Sequence, residues 1–190
     1  MQVFFAPADY ELYLKLLREQ VRKCQVDIWA YCLMPNHVHL IAAPERTTSL
    51  ASAFGEAHRK YAIRINKQHG WKGHLWQERF ASFPMDEVHL LAAVRYVLLN
   101  PVRAGLVSTS ADWPYCSLPL HRGWAEDPLV TPRPLAERID DWNQLLETSE
   151  TQSVVEELRK HSSTGRPLGD DAFISKVEEC VAKEPSSNLC

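Results

Sequence analysis

The 190-residue chain has no CxxC pair, and its five cysteines, Cys24, Cys32, Cys116, Cys180 and Cys190, are odd in number and scattered. A zinc ribbon or a disulfide framework is therefore not expected, and the cysteines read as free thiols, several of them buried. No apolar run approaches the roughly 20 residues needed to cross a bilayer. The opening Met1–Pro7 lacks the basic region and cleavage signal of a secretory leader, so a cytoplasmic protein with no membrane partner is expected. There is no internal repeat, which excludes a solenoid or propeller, and no low-complexity run outside the polar C-terminus. Nor is there an excess of positive charge. The formal net charge is −3, which by itself argues against a nucleic-acid partner.

What is present modifies that picture. Hydrophobic residues make up 45%, ordinary for a folded globular chain, and the length allows one compact domain with an appendage or two small domains. The charge is unevenly spread. Between Arg46 and Phe80 seven basic residues, Arg46, Arg59, Lys60, Arg64, Lys67, Lys72 and Arg79, face only Glu56 and Glu78, a net +5. An acidic tail after Trp124 offsets it. Such a stretch is either a solvated helix face or the footprint of a phosphate backbone.

The patterning predicts an amphipathic helix over Pro7–Lys23, with Tyr10, Leu14, Leu17 and Val21 at helical spacing. Val26–Leu33 and His37–Ala43 read as strands joined at Met34-Pro35-Asn36, an antiparallel hairpin. A basic helix is expected over Ser49–Gln68 and a third strand over His74–Pro84. A helix capped by Asp86 should run to about Asn100, where Pro101 discourages continuation. Pro101–Leu120 reads as loop-rich. Asp127–Pro134, with three prolines, resembles a linker, and amphipathic segments follow at Leu135–Glu147, Thr151–His161 and Asp170–Lys183.

Two constellations can carry chemistry. On a strand, alternate side chains share a face, so His37 and His39 project together, about 7 Å apart along the chain, and can converge on one ion. A histidine pair this close is as often structural as metal-binding. On the later helix, Tyr96 and Asn100 are four residues apart and share a face. The same spacing fits a core aromatic and a helix-terminal cap.

Three sequence blocks are more specific in combination. Tyr31-Cys-Leu-Met-Pro-Asn-His-Val-His-Leu40 resembles the HUH signature of single-tyrosine (IS200-like) transposases. Arg95-Tyr-Val-Leu-Leu-Asn-Pro-Val-Arg-Ala-Gly-Leu-Val107 resembles the tyrosine motif of that family, and Gly73-His-Leu-Trp-Gln-Glu-Arg-Phe80 the segment between them. They occur in the family's order, and the nearest branch is the REP-associated tyrosine transposases. The resemblance covers about Val3–Trp124, and more loosely the Arg159–Phe173 stretch.

The resemblance implies an α+β fold: a mainly antiparallel sheet with packed helices, ferredoxin-like as in HUH nucleases. It implies that His37 and His39 hold a divalent metal, Mg²⁺ or Mn²⁺, with Asn100 as a third ligand or metal-facing group, and that Tyr96 is the nucleophile. Attack on a phosphodiester would leave a 5′-phosphotyrosine and a free 3′-hydroxyl, so the strand can later be rejoined. The chemistry is coherent: a cation neutralises the charge that repels an incoming anion, and a phenol, protonated at neutral pH, needs activation. The implied partner is single-stranded DNA with hairpin-forming repeats. Arg59, Lys60, Arg64, Lys67, Arg79 and Arg103 are candidate phosphate contacts, and Trp76 or Phe80 candidate stacking surfaces, though core packing is the stronger reading for the aromatics. Relatives act as monomers or as dimers that exchange the tyrosine helix. They also carry a strand ahead of the segment matching Val3-Phe4-Phe5, where only Met1 and Gln2 stand here; an unpaired strand edge is expected. The expected organisation is a nuclease domain over 1–125, a linker over 126–134 and a helical segment over 135–190. The competing readings are a repeat-binding protein that no longer cuts and a phosphoesterase built on the histidine pair.

Overall fold

The computed structural model describes residues 2–77, 80–148 and 152–183. The chain forms two compact units, one of residues 1–80 with 94–148, the other of 81–93 with 149–190.

The first unit is an α+β arrangement: a two-stranded antiparallel sheet with helices packed on it. Helix α1 (Pro7–Cys24) opens with proline in its first turn, where a missing N–H costs nothing. The Asp9 carboxylate accepts the N–H groups of Phe5 and Ala6 at 2.8 and 2.9 Å, satisfying donors at the helix entry. Gln25, in the left-handed region at φ 55°, ends α1 and turns the chain into β1 (Val26–Met34). Strand β2 (His37–Pro44) pairs back on it, with Met34 opposite His37 and Cys32 opposite His39, and an irregularity between Ile28 and Ala30. Helix α2 (Ser49–His69) lies against α1.

The core follows from these faces. Tyr10, Tyr13, Leu17 and Val21 of α1 meet Ala53, Phe54, Ala57, Tyr61 and Ile65 of α2, all buried, over the buried face of β1. Phe4 stacks on Tyr10 at 4.3 Å, and the buried Tyr61 hydroxyl donates to the Val3 carbonyl at 2.7 Å. The segment at Val3–Phe5 is thus tied down without being a strand.

The outer edge of β1 is covered. Leu33 N–H donates to Tyr115 O and Ser117 N–H to Tyr31 O, so 115–117 runs antiparallel along it. Val130 lies parallel to Ile28, and Thr131 N–H donates to Ile28 O at 2.7 Å. Residues 127–134 are therefore not a free linker: Leu129 and Val130 belong to the core, and the prolines flank an edge segment, where a missing donor does no harm. The other edge of β2 has no strand partner among the described residues. Later along the chain come α3 (Glu87–Leu98), α4 (Asn100–Arg103), a 3₁₀ turn at Ser110–Asp112, and the short helices α5 (Leu118–His121), α6 (Arg133–Ala136) and α7 (Trp142–Glu147). The helical segments at 133–147 thus belong to the first unit.

The expected third strand over His74–Pro84 is not formed; among the described residues the stretch is irregular. Its apolar residues pack through side chains alone. Leu75 is buried, and Phe80 meets Phe54 edge-on at 5.3 Å. Pro101 does not simply end a helix: α3 stops at Leu98, and Pro101 occupies the first turn of α4. Cys24, Cys32, Cys116 and Cys180 are free thiols, while Cys190 lies outside the described residues. No helix among the described residues is long and apolar enough to cross a membrane.

In the second unit, Leu168 pairs parallel to Met85, receiving Asp86 N–H and donating to Pro84 O. The Asp86 carboxylate caps α3 through His89 N–H at 3.0 Å and takes the His89 ring nitrogen at 2.6 Å. Helices α8 (Gln152–Thr164) and α9 (Asp171–Lys183) complete the unit, with Val155, Leu158 and Leu168 buried.

Candidate active site

The hairpin turn is two residues long, Pro35 and Asn36, and its tip is braced: the Pro35 carbonyl accepts Val3 N–H at 2.9 Å and Phe4 N–H at 3.1 Å. This fixes the start of β2, and the pleat puts His37 and His39 on one face. Their Nε2 atoms stand 2.9 Å apart, with the rings at right angles. Two nitrogens each about 2.1 Å from one ion and at right angles to each other would be about 3 Å apart. The Nδ1 of His37 donates to Asn36 Oδ1 at 2.7 Å, which leaves the lone pair of that ring on Nε2.

The electrostatics favour neutral rings. Burial lowers the proton affinity of His37. Burial, then the charges of His37 and Arg103, push the His39 pKa down to about 3. Neutral imidazoles keep their lone pairs available as ligands at ordinary pH.

Helix α3 brings Tyr96 to the same place. Ala93, Val94, Val97 and Leu98 are buried and orient the helix, leaving Tyr96 half-buried. Its ring meets the ring of His39 edge-on at 5.8 Å between centroids, within a single chain. The turn at Leu99 starts α4 and folds Arg103 back, so that its guanidinium lies 4.1 Å over the centroid of the Tyr96 ring. The same guanidinium donates to the Tyr96 carbonyl. By sequence Arg103 is a candidate phosphate contact; the intervening Asn100-Pro101, which restarts a helix, is the signal for its seat on the tyrosine. Asn36 was missed, although it directly precedes His37.

Asn100 is 9% exposed, and its amide nitrogen is buried without a hydrogen-bond partner. A buried orphan costs about 1–3 kcal/mol, which a ligand at that position would relieve. A flip of the amide exchanges its oxygen and nitrogen, so the group can face a cation or an acceptor. Among the described residues no three His, Cys, Asp or Glu side chains converge. The protein thus offers one imidazole pair, to be completed by an amide, phosphate oxygens or water. That donor set fits a divalent transition metal, and is compatible with one that keeps open positions.

The other anticipated contacts are spread out. Arg59 forks onto Glu56 at 2.7 and 2.8 Å, and Lys60 reaches the same carboxylate at 3.6 Å, so Glu56 offsets part of the positive charge of this stretch of α2. Arg64 and Lys67 are exposed, with no ion pair among the described residues. Trp76 does not offer a stacking face: it stacks on His58 at 4.3 Å, lies within 6.4 Å of Phe4, Tyr13 and Tyr61, and donates to His58 O. Burial explains that outcome, because the aromatic pattern that read as a strand serves the core. Arg79 lies outside the described residues.

The chain is 28% identical over 99 residues to a Haemophilus influenzae protein assigned as a REP-associated tyrosine transposase, covering 46% of this chain and 56% of that one. It is 27% identical over 137 residues to the REP-associated tyrosine transposase of Escherichia coli, covering 66% of this chain and 79% of the relative. The chain therefore spans little more than half the length of the first relative. A solved REP-associated tyrosine transposase, bound to a REP hairpin, aligns with a TM-score of 0.49 at 22% identity, over 64% of this chain and 76% of that one. The model of the family described as "Transposase IS200 like" matches residues 2–99, which is more than half of the chain and takes in the histidine pair and Tyr96. The first unit holds the hairpin, the paired imidazoles and Tyr96, and on the family match the chain belongs to the IS200-like transposase family.

Proposed function

We propose that this protein cleaves and rejoins single-stranded DNA through Tyr96, acting on hairpin-forming repeats of the kind its relatives are named for. The observation that supports this most is the meeting of His39, Tyr96 and Arg103 around one point, from a hairpin and a helix 57 residues apart in sequence. His37 and His39 would hold a divalent cation, to which Asn100, four residues after Tyr96, would offer its amide. A cation bound there neutralises phosphate charge and fixes the scissile group.

The chain's own residues do the rest. The Tyr96 hydroxyl oxygen forms the new bond to phosphorus, the bond from phosphorus to the 3′-oxygen breaks, and that oxygen leaves with a proton as a 3′-hydroxyl. The DNA 5′-phosphate stays on the tyrosine, and a later 3′-hydroxyl reverses the step. Arg103 holds the phenol ring from one face and supplies positive charge where the phosphate would enter. Asn36 fixes the His37 ring.

Incubation with single-stranded hairpin DNA and Mn²⁺ should yield a protein–DNA adduct on denaturing gels. Tyr96→Phe should abolish it while leaving DNA binding intact. An adduct that survives Tyr96→Phe removes the nucleophile assignment, and hairpin binding without any adduct makes the chain a repeat-binding protein instead.

A further inference from the structure

Trp71 is 47% exposed, one of few large apolar side chains so placed among the described residues. It is nevertheless firmly held. Gly70, at φ 69°, closes α2, and the N–H groups of both Gly70 and Trp71 bond to Asn66 O, the latter at 2.8 Å. The Asn66 side chain in turn donates to Gly73 O at 2.8 Å, fixing the turn that follows. The indole stacks on His69 at 4.4 Å and 20° between planes, and Phe5 meets both rings, at 5.3 Å from Trp71 and 5.0 Å from His69.

The surroundings decide what such a surface suits. From Tyr61 to Gln77 there is no Asp or Glu, while Arg64, Lys67 and Lys72 are all present and exposed. A flat, pre-ordered aromatic surface in a field of positive charge matches a polyanion carrying flat bases. The other strongly exposed indole, Trp124, already carries a guanidinium over its ring, from Arg122 at 4.8 Å. Trp76, the other indole of this basic stretch, is packed against the core.

We propose that the Phe5–His69–Trp71 cluster is a stacking platform for an unpaired base of single-stranded DNA, with Arg64, Lys67 and Lys72 contacting the flanking phosphates. It rests on the DNA-processing reading above, extends it to a site no motif of the family signature marks, and is distinct from the histidine–tyrosine centre. Because the rings are ordered in advance, binding loses little side-chain entropy.

The test uses the full chain and a fluorescein-labelled oligothymidylate, compared with a duplex of equal length. Trp71→Ala and Trp71→Leu should each weaken single-strand binding by roughly tenfold, the order of one lost stacked base, and Trp71→Phe should keep most of it. Duplex affinity and the salt dependence should stay as in the wild type. Lys67→Ala with Lys72→Ala should instead reduce the salt slope. Adduct formation is measured on the same proteins at saturating hairpin DNA. Binding that depends on Trp71 without any wild-type adduct supports the platform and removes the strand-transfer reading. An adduct together with unchanged oligothymidylate affinity in Trp71→Ala overturns the platform alone. An equal loss on duplex, or a change only in self-association, overturns it too.

Discussion

Replacing Arg103 by alanine removes two contacts with Tyr96: the guanidinium 4.1 Å above its ring and a hydrogen bond to its carbonyl. For stability the effect is small. Arg103 is exposed, and a cation over an aromatic ring in such a setting is worth about 0.5–1 kcal/mol. For the reaction the effect is larger. Losing a positioned donor aimed at developing charge typically costs about 10²–10³ in rate. Single-turnover adduct formation at saturating hairpin DNA and Mn²⁺ should therefore slow by about a hundredfold, while the urea midpoint shifts only slightly. Arg103→Lys keeps the charge but not the flat stacking plane, and should fall between the two. A wild-type single-turnover rate in Arg103→Ala, with only weaker DNA affinity, would refute the reasoning and return Arg103 to the role of an ordinary phosphate contact.

Three further outcomes are expected. His37→Ala should weaken Mn²⁺ binding, measured by calorimetry on the protein alone, because it leaves one imidazole; unchanged affinity would place the metal elsewhere. Tyr61→Phe should cost about 1 kcal/mol in urea unfolding, since it orphans the Val3 carbonyl in the core. His58 is half-buried against Trp76 and bonded to the Tyr13 hydroxyl, and its pKa is depressed by burial from 6.5 to about 4. The unfolded chain thus binds a proton that the folded chain refuses, so stability is full above pH 6.5 and falls as pH drops toward 4, by up to about 3 kcal/mol. Denaturant titrations at pH 7 and pH 5 should show the loss, and His58→Gln should reduce it.

The hairpin was legible because its signals are local. Two alternating β-branched runs meet at Pro35-Asn36, and period-two geometry then puts His37 and His39 on one face. The buried stripes of α1 and α2 likewise follow from helical spacing. What stayed hidden depends on distant partners. Residues 127–134 look like a linker by composition, yet Val130 and Thr131 complete the edge of β1, some 100 residues earlier in sequence. Leu75, Trp76 and Phe80 carry strand-like residues, but strand preference largely measures fit to a half-buried surface, and here packing against α2 satisfies them without a ladder. The pairing of Arg103 with Tyr96 required knowing that Pro101 starts a helix as readily as it stops one. The exposure of Trp71 and the packing of Trp76 against the core could not be told apart from composition, since both lie in the same basic stretch.

The most direct measurement is mass mapping of the adduct formed on a single-stranded hairpin with Mn²⁺. The account predicts a 5′-phosphorylated nucleotide remnant on the peptide containing Tyr96, and none when metal is chelated. A remnant on another residue, or cut DNA with both ends free and no modified peptide, would contradict it.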